Sequence, residues 1–128
     1  MELRAIAAVG LGAAIGGILR YVLSQLIVQR FGSALPYATL FINVSGSILI
    51  GGLFEVVHMR GGAAPNLTWL FAAVGILGGY TTFSTFSFET VALLGSNAVL
   101  GVAYACGSVL LGCTGAWAGM ALTRIALR

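Results

Sequence analysis

Apolar residues run along this chain in long unbroken stretches, and charged or turn-forming residues gather where the stretches stop. Four lengths result, at about residues 3–29, 37–59, 67–94 and 98–126. They are separated by Arg30-Phe31-Gly32-Ser33 with Pro36, by Arg60-Gly61-Gly62 with Pro65-Asn66, and by a turn near Asn97. A hydrocarbon core about 30 Å thick needs about 20 apolar residues per helical crossing, and each length supplies them. The stretches are too long for strands and lack their alternation, which disfavours a transmembrane barrel. The pattern predicts an all-α membrane protein, a single domain over residues 1–128 made of four transmembrane helices.

Composition strengthens this. Of 128 residues, 59% are hydrophobic and 7% charged, with no Lys and no Asp. Soluble domains carry about 25% charged residues, so this chain cannot coat a water-facing surface. The first stretch is expected to be a span and not a cleaved signal peptide: Glu2 sits where a basic region belongs, the apolar run is too long, and Arg20 interrupts it. Arg4, Arg60, Arg124 and Arg128 fall on one side of the membrane and Arg30 on the other, a weak bias towards a cytoplasmic N-terminus. Cys106 and Cys113 lie seven residues apart on one helix, a rise of about 10 Å. They cannot bridge each other and read as small apolar membrane residues.

Ionisable and amide groups inside a membrane are costly, so each calls for a reason. Arg20 lies about two-thirds along the first helix. It can snorkel to the interface near Arg30, set a positive charge at the mouth of an anion path, or do both. Thr39, Asn43 and Ser47 recur every four residues and share one face of the second helix; Tyr104 and Ser108 do the same on the fourth. Hydroxyls of this kind commonly join membrane helices, at about 0.6 kcal/mol each. Asn43 differs, because its amide cannot satisfy itself on its own helix as Ser and Thr can. Ala8, Gly12 and Gly16, then Ser47 and Gly51, then Gly115 and Gly119 form small-xxx-small seams that imply close helix packing, with a partner chain. Glu55 and His58 sit near Arg60 at the end of the second helix, where they are solvated or paired. Nothing resembles a nucleophile with its base, a phosphate loop or a metal cluster, so no enzyme is expected.

The third stretch contains Gly78-Gly79-Tyr80-Thr81-Thr82-Phe83-Ser84-Thr85-Phe86-Ser87-Phe88-Glu89-Thr90. Glycine weakens a helix interior by about 1 kcal/mol relative to Ala, and Thr or Ser caps a helix that restarts. The third helix is therefore predicted to break in mid-membrane around residues 78–82. A break leaves unpaired carbonyls that suit a cation and free N–H groups that suit an anion. Phe83 and Phe86 project from one face of the restarted helix; Thr82, Thr85 and Glu89 share a neighbouring one. Ring edges are positive, so rings with hydroxyl donors nearby replace an anion's hydration without trapping it. Glu89 runs against a simple anion funnel and has no assigned place.

Gly75-x-x-Gly78-Gly79-x-Thr81-Thr82-Phe83-Ser84-Thr85-Phe86-Ser87 followed by Glu89 resembles the signature of the Fluc (CrcB) fluoride channels, and the likeness extends over the whole chain. It implies a multi-pass protein of the bacterial inner membrane that exports fluoride passively and relieves its toxicity. It further implies an antiparallel, dual-topology homodimer with two pores and a central structural sodium ion. The partners implied are fluoride, a second copy and membrane lipid, with no nucleic acid. On this likeness Phe83 and Phe86 turn ring edges to fluoride, Asn43 is the pore amide, and Thr39, Tyr104 and Ser108 form a polar track. Thr82, Ser84 and Arg20 complete the pore set, while backbone carbonyls of Gly78 and Thr81 hold sodium. Two departures stand out: Gly112 occupies a position where the family often has a third track hydroxyl, and the arginine bias is mildly uneven for dual topology. The alternatives are a small multidrug-type proton-coupled transporter, which needs a membrane carboxylate in the first helix where only Glu2 exists, and a non-transporting assembly subunit, which leaves the break unexplained.

Overall fold

The computed structural model describes residues 2–61 and 66–128. Pro65, a boundary residue in the sequence reading, lies outside them. The described residues are helical throughout apart from short joints: α1 (Leu3–Phe31), α2 (Tyr37–Met59), α3 (Leu67–Trp69), a π-helical stretch (Leu70–Leu77), α4 (Gly78–Tyr80), α5 (Phe83–Ser96) and α6 (Ala98–Ala126). Four spans are long and apolar enough to cross a membrane, the third being Leu67–Ser96.

Local chemistry sets the joints. Gly32, at φ 80°, takes a left-handed backbone and donates its N–H to the Val28 carbonyl at 2.8 Å, ending α1. Asn66 caps α3 by accepting from the Trp69 N–H at 2.9 Å. Asn97 alone joins α5 to α6. Its N–H donates to the Leu93 carbonyl, and its side chain accepts from the Leu100 N–H.

Short joints make successive spans antiparallel, so alternate spans run parallel: α2 packs along α6, and α1 packs along the third span as far as α4. Gly12 and Gly16 of α1 lie on the π-helical stretch and α4: a Cβ on Gly12 would stand 2.9 Å from the Gly75 Cα, and one on Gly16 would meet the Ile76 carbonyl and the Tyr80 N. Gly51 of α2 meets Ala116 in the same way, and Gly119 of α6 meets the Ile48 carbonyl. Only residues without side chains let backbones approach so closely. Large apolar side chains such as Leu3, Ile18, Phe88, Val99 and Leu110 face outward, while the buried positions include Thr39, Glu55, Thr82 and Tyr104. Apolar outside and polar inside is the arrangement that lipid as solvent demands.

The third span breaks within the expected range and narrows it to two residues. Gly78 has ordinary helical torsions (φ −65°, ψ −36°) and α4 continues through Tyr80. The helix stops only at Thr81 and Thr82, both extended (φ −80°, ψ 160° and φ −149°, ψ 117°). Gly75 and Gly79 serve approach to α1: a Cβ on either would stand 2.9 Å from a Cα of α1, that of Gly12 or of Ala13. The π-helical turn departs from the expected α-helix, with the Gly78 N–H reaching back five residues to the Ala73 carbonyl.

Adjacent glycines on α1 offer a test. Gly16→Ala forces backbones apart and is expected to cost about 1–3 kcal/mol of stability. Gly17, whose added Cβ would meet nothing within 4 Å, should tolerate Ala or gain up to about 1 kcal/mol. Unfolding midpoints in detergent check this; equal effects would mean that the seam is not tight.

Candidate functional site

A broken backbone inside a membrane must satisfy its peptide groups on something other than its own helix. The Thr81 N–H still donates to the Leu77 carbonyl at 3.0 Å. Thr82 is released on both sides, and Asn43 of α2 takes both groups. The Asn43 Oδ1 accepts from the Thr82 N–H at 2.8 Å, and its Nδ2 donates to the Thr82 carbonyl at 3.0 Å. One orientation of the amide alone makes both bonds, so a side chain here imitates a strand partner. Gly46, three residues on, gives the break room on α2, because a Cβ there would meet the Thr81 methyl group.

Thr82 then starts the second half. Its hydroxyl accepts from the Thr85 N–H at 3.2 Å, capping α5, and lies 3.0 Å from the Thr85 Oγ1 and 3.3 Å from the Ser84 Oγ. The Thr81 carbonyl is approached from the other side by the Arg20 Nη1 at 3.4 Å. Arg20 therefore reaches the break. An open cleft of about 360 Å³ lies at the break, lined among others by Asn43, Ser47, Gly78, Thr81, Thr82 and Phe83.

From the break a ladder of rings leads along α5. Phe83 and Phe86 have centroids 5.7 Å apart at 47°, and Phe86 and Tyr104 are 5.5 Å apart at 50°. The ladder ends at Glu89. Its Oε1 accepts from the Thr39 hydroxyl and its Oε2 from the Tyr104 hydroxyl, each at 2.8 Å. The residue that resisted placement in the sequence is thus the meeting point of α2, α5 and α6. Ser108, one turn beyond Tyr104, has a buried Oγ without a hydrogen-bond partner. Ser47 donates to the Asn43 carbonyl at 2.7 Å, and a Cβ on Gly112 would stand 3.5 Å from its Oγ. A hydroxyl from α2 therefore stands at the level where α6 has only glycine.

Asn43, Thr82 and Ser84 are thus gathered at the break, with Thr39, Phe83, Phe86 and Tyr104 along α5. Ser108 lies on the Tyr104 side, and Arg20 reaches only the carbonyl end. Reading the sequence missed the Glu89 partners, Gly46 and an ion pair near the other membrane face. In that pair Arg124 donates from Nε to the Glu55 Oε1 at 2.8 Å and from Nη2 to Oε2 at 3.1 Å. Glu55 is only 2% exposed. The chain has three acidic residues, and parallel α2 and α6 bring their last turns together, which was the available signal.

Residues 7–120 match the family model for CrcB-like protein, Camphor Resistance (CrcB). The chain belongs to the CrcB family. A relative from Rhizobium meliloti, named fluoride-specific ion channel FluC, is 46% identical over 117 residues, covering 91% of this chain and 93% of that protein. One of the same name from Thermus thermophilus is 46% identical over 105 residues (81% and 82%). One from Trichormus variabilis is 42% identical over 119 residues (92% and 87%). In this CrcB chain the signature residues from Gly75 to Glu89 coincide with the break, the cap and the ring ladder.

Asn43→Ala leaves the N–H and the carbonyl of the buried residue Thr82 unpaired, each worth about 1–3 kcal/mol when orphaned. The variant should lose stability on that scale, and amide exchange at Thr82 should quicken. Unchanged exchange would show that Asn43 does not hold the break.

Proposed function

We propose that this CrcB protein is a fluoride-selective passive channel of the bacterial inner membrane, exporting fluoride from the cytoplasm to relieve its toxicity. The observation that carries the reading is the ring ladder of Phe83, Phe86 and Tyr104 leading away from a broken helix. Relatives named fluoride-specific ion channels support it. Transfer of an ion needs no bond made or broken, so the chain has to replace hydration and release the ion again. Positive ring edges do the first without a firm hydrogen bond. The α5 start adds N–H groups and hydroxyls that suit an anion. Thr39 and Tyr104 commit their hydroxyls to Glu89, so an anion at that level competes with a carboxylate for them. That competition favours passage over trapping.

The working unit is an antiparallel, dual-topology homodimer with two pores. Phe83 is 79% exposed in one chain, and the cleft beside it leaves broken backbone and hydroxyls open at membrane depth. Lipid does not tolerate that, so a second copy that covers the cleft supports the arrangement.

A structural sodium ion belongs to the same reading. The Thr82 N–H, which a continuous helix would direct to the Gly78 carbonyl, is held by Asn43; Gly78 is exposed at the cleft, and the Thr81 carbonyl lies outside the helix. Backbone oxygens at such an end fit a hard monovalent cation. Gly78 and Thr81, with the same carbonyls of a second copy, would hold the ion, whose charge would offset the negative end of the half-helix.

Liposomes loaded with fluoride and clamped by a potassium ionophore should release it through the protein, with negligible release of chloride. Equal chloride release rules the assignment out. Phe83→Ile and Phe86→Ile should each abolish fluoride flux and leave the dimer intact by size-exclusion chromatography. Normal flux in both removes the ring-edge mechanism.

A further inference from the structure

Arg20 is a cation in an apolar helix, and no carboxylate answers it. Glu55 is taken by Arg124, Glu89 by Thr39 and Tyr104, and Glu2 stands at the far end of α1. What answers it is the Thr81 carbonyl. The α1 seam delivers it there: Gly12 lies against Gly75, Gly16 against Ile76 and Tyr80, and Arg20 follows one turn later beside Thr81. The contact is long for a hydrogen bond, 3.4 Å against the usual 2.7–3.2 Å, so the guanidinium rests at the carbonyl end without closing on it.

We infer that Arg20 is a tethered cation sharing the carbonyl end of the broken helix with sodium, so that removing its charge tightens sodium binding. This rests on the sodium reading above. An ion held by the Thr81 carbonyl stands within a few ångströms of the guanidinium that approaches the same oxygen. Two positive charges this close repel, and the membrane interior screens them less than water does. When sodium is scarce, the guanidinium offsets part of the carbonyl charge itself. Arg20 is thus a positioning residue for the break, and its antagonism towards sodium separates this role from that of an anion attractor, which would leave sodium affinity alone.

The experiment titrates sodium chloride against N-methylglucamine chloride and follows the unfolding temperature of the purified full-length protein in detergent. Arg20→Met should unfold at lower temperature than the unaltered protein without sodium. Its half-maximal sodium concentration should fall about tenfold, the equivalent of about 1.4 kcal/mol. Arg20→Gln, which keeps an N–H donor for Thr81 and loses the charge, should show the same fall and serves if the Met variant folds poorly. Arg20→Lys should keep the original midpoint. A midpoint in both neutral variants equal to or above that of the unaltered protein overturns the proposal and leaves the sodium reading standing. No response to sodium in any of the proteins overturns both.

Discussion

The Asn43 amide closed on the Thr82 peptide is the constraint on which the other features of this protein depend. A chain crossing a membrane can leave helical geometry only where something else pairs the exposed N–H and carbonyl. Ser and Thr cannot do so alone, since each would bond back to its own helix, as Ser47 and Thr90 do. An amide offers a donor and an acceptor at peptide spacing. With both Thr82 groups satisfied, its side chain is free to cap α5, and that cap decides where the α5 turns begin. The positions of Phe83, Phe86 and Glu89 around α5 follow from it.

Two glycine seams bring the parts to this point. The α1 seam carries Arg20 to the carbonyl side, and the α2–α6 packing carries Asn43 and Thr39 along one face and Tyr104 along the facing one. Both seams join parallel helices, a consequence of short joints between four spans. Backbone closeness therefore serves geometry as well as cohesion. A helix pair held apart by larger side chains could not place a guanidinium or an amide against a peptide group on its neighbour.

Much of this was legible in the residues. Lipid as solvent selects long apolar stretches, so the spans could be read directly, and the period of four made the Thr39, Asn43 and Ser47 face visible. The break falls within the range expected for it, at its threonine end. The glycines weaken a helix in isolation, but Gly75 and Gly79 serve packing. They lie under α1, and the helix runs through them to two threonines whose branched side chains suit extended backbone. Glu89 and Glu55 resisted because their partners are 50, 15 and 69 residues away. Pairing at such separation depends on which spans are neighbours, and that is set by packing, not by local pattern.

Thr81 and Thr82 divide the electrostatics of the membrane interior in two. Up to the Thr81 carbonyl the third span presents the negative end of a half-helix, and the charge it meets is the Arg20 guanidinium. From the Thr82 hydroxyl onward it presents N–H groups, then rings, and only two turns later the Glu89 carboxylate. Opposite preferences for ions thus lie within two residues, which a continuous helix could not achieve because its end charges would sit at the membrane surfaces. The carboxylate would spoil an anion path if it stood bare. It does not: two hydroxyls from two other helices each donate a hydrogen bond to one of its oxygens, so both oxygens at the end of the ring ladder are already engaged.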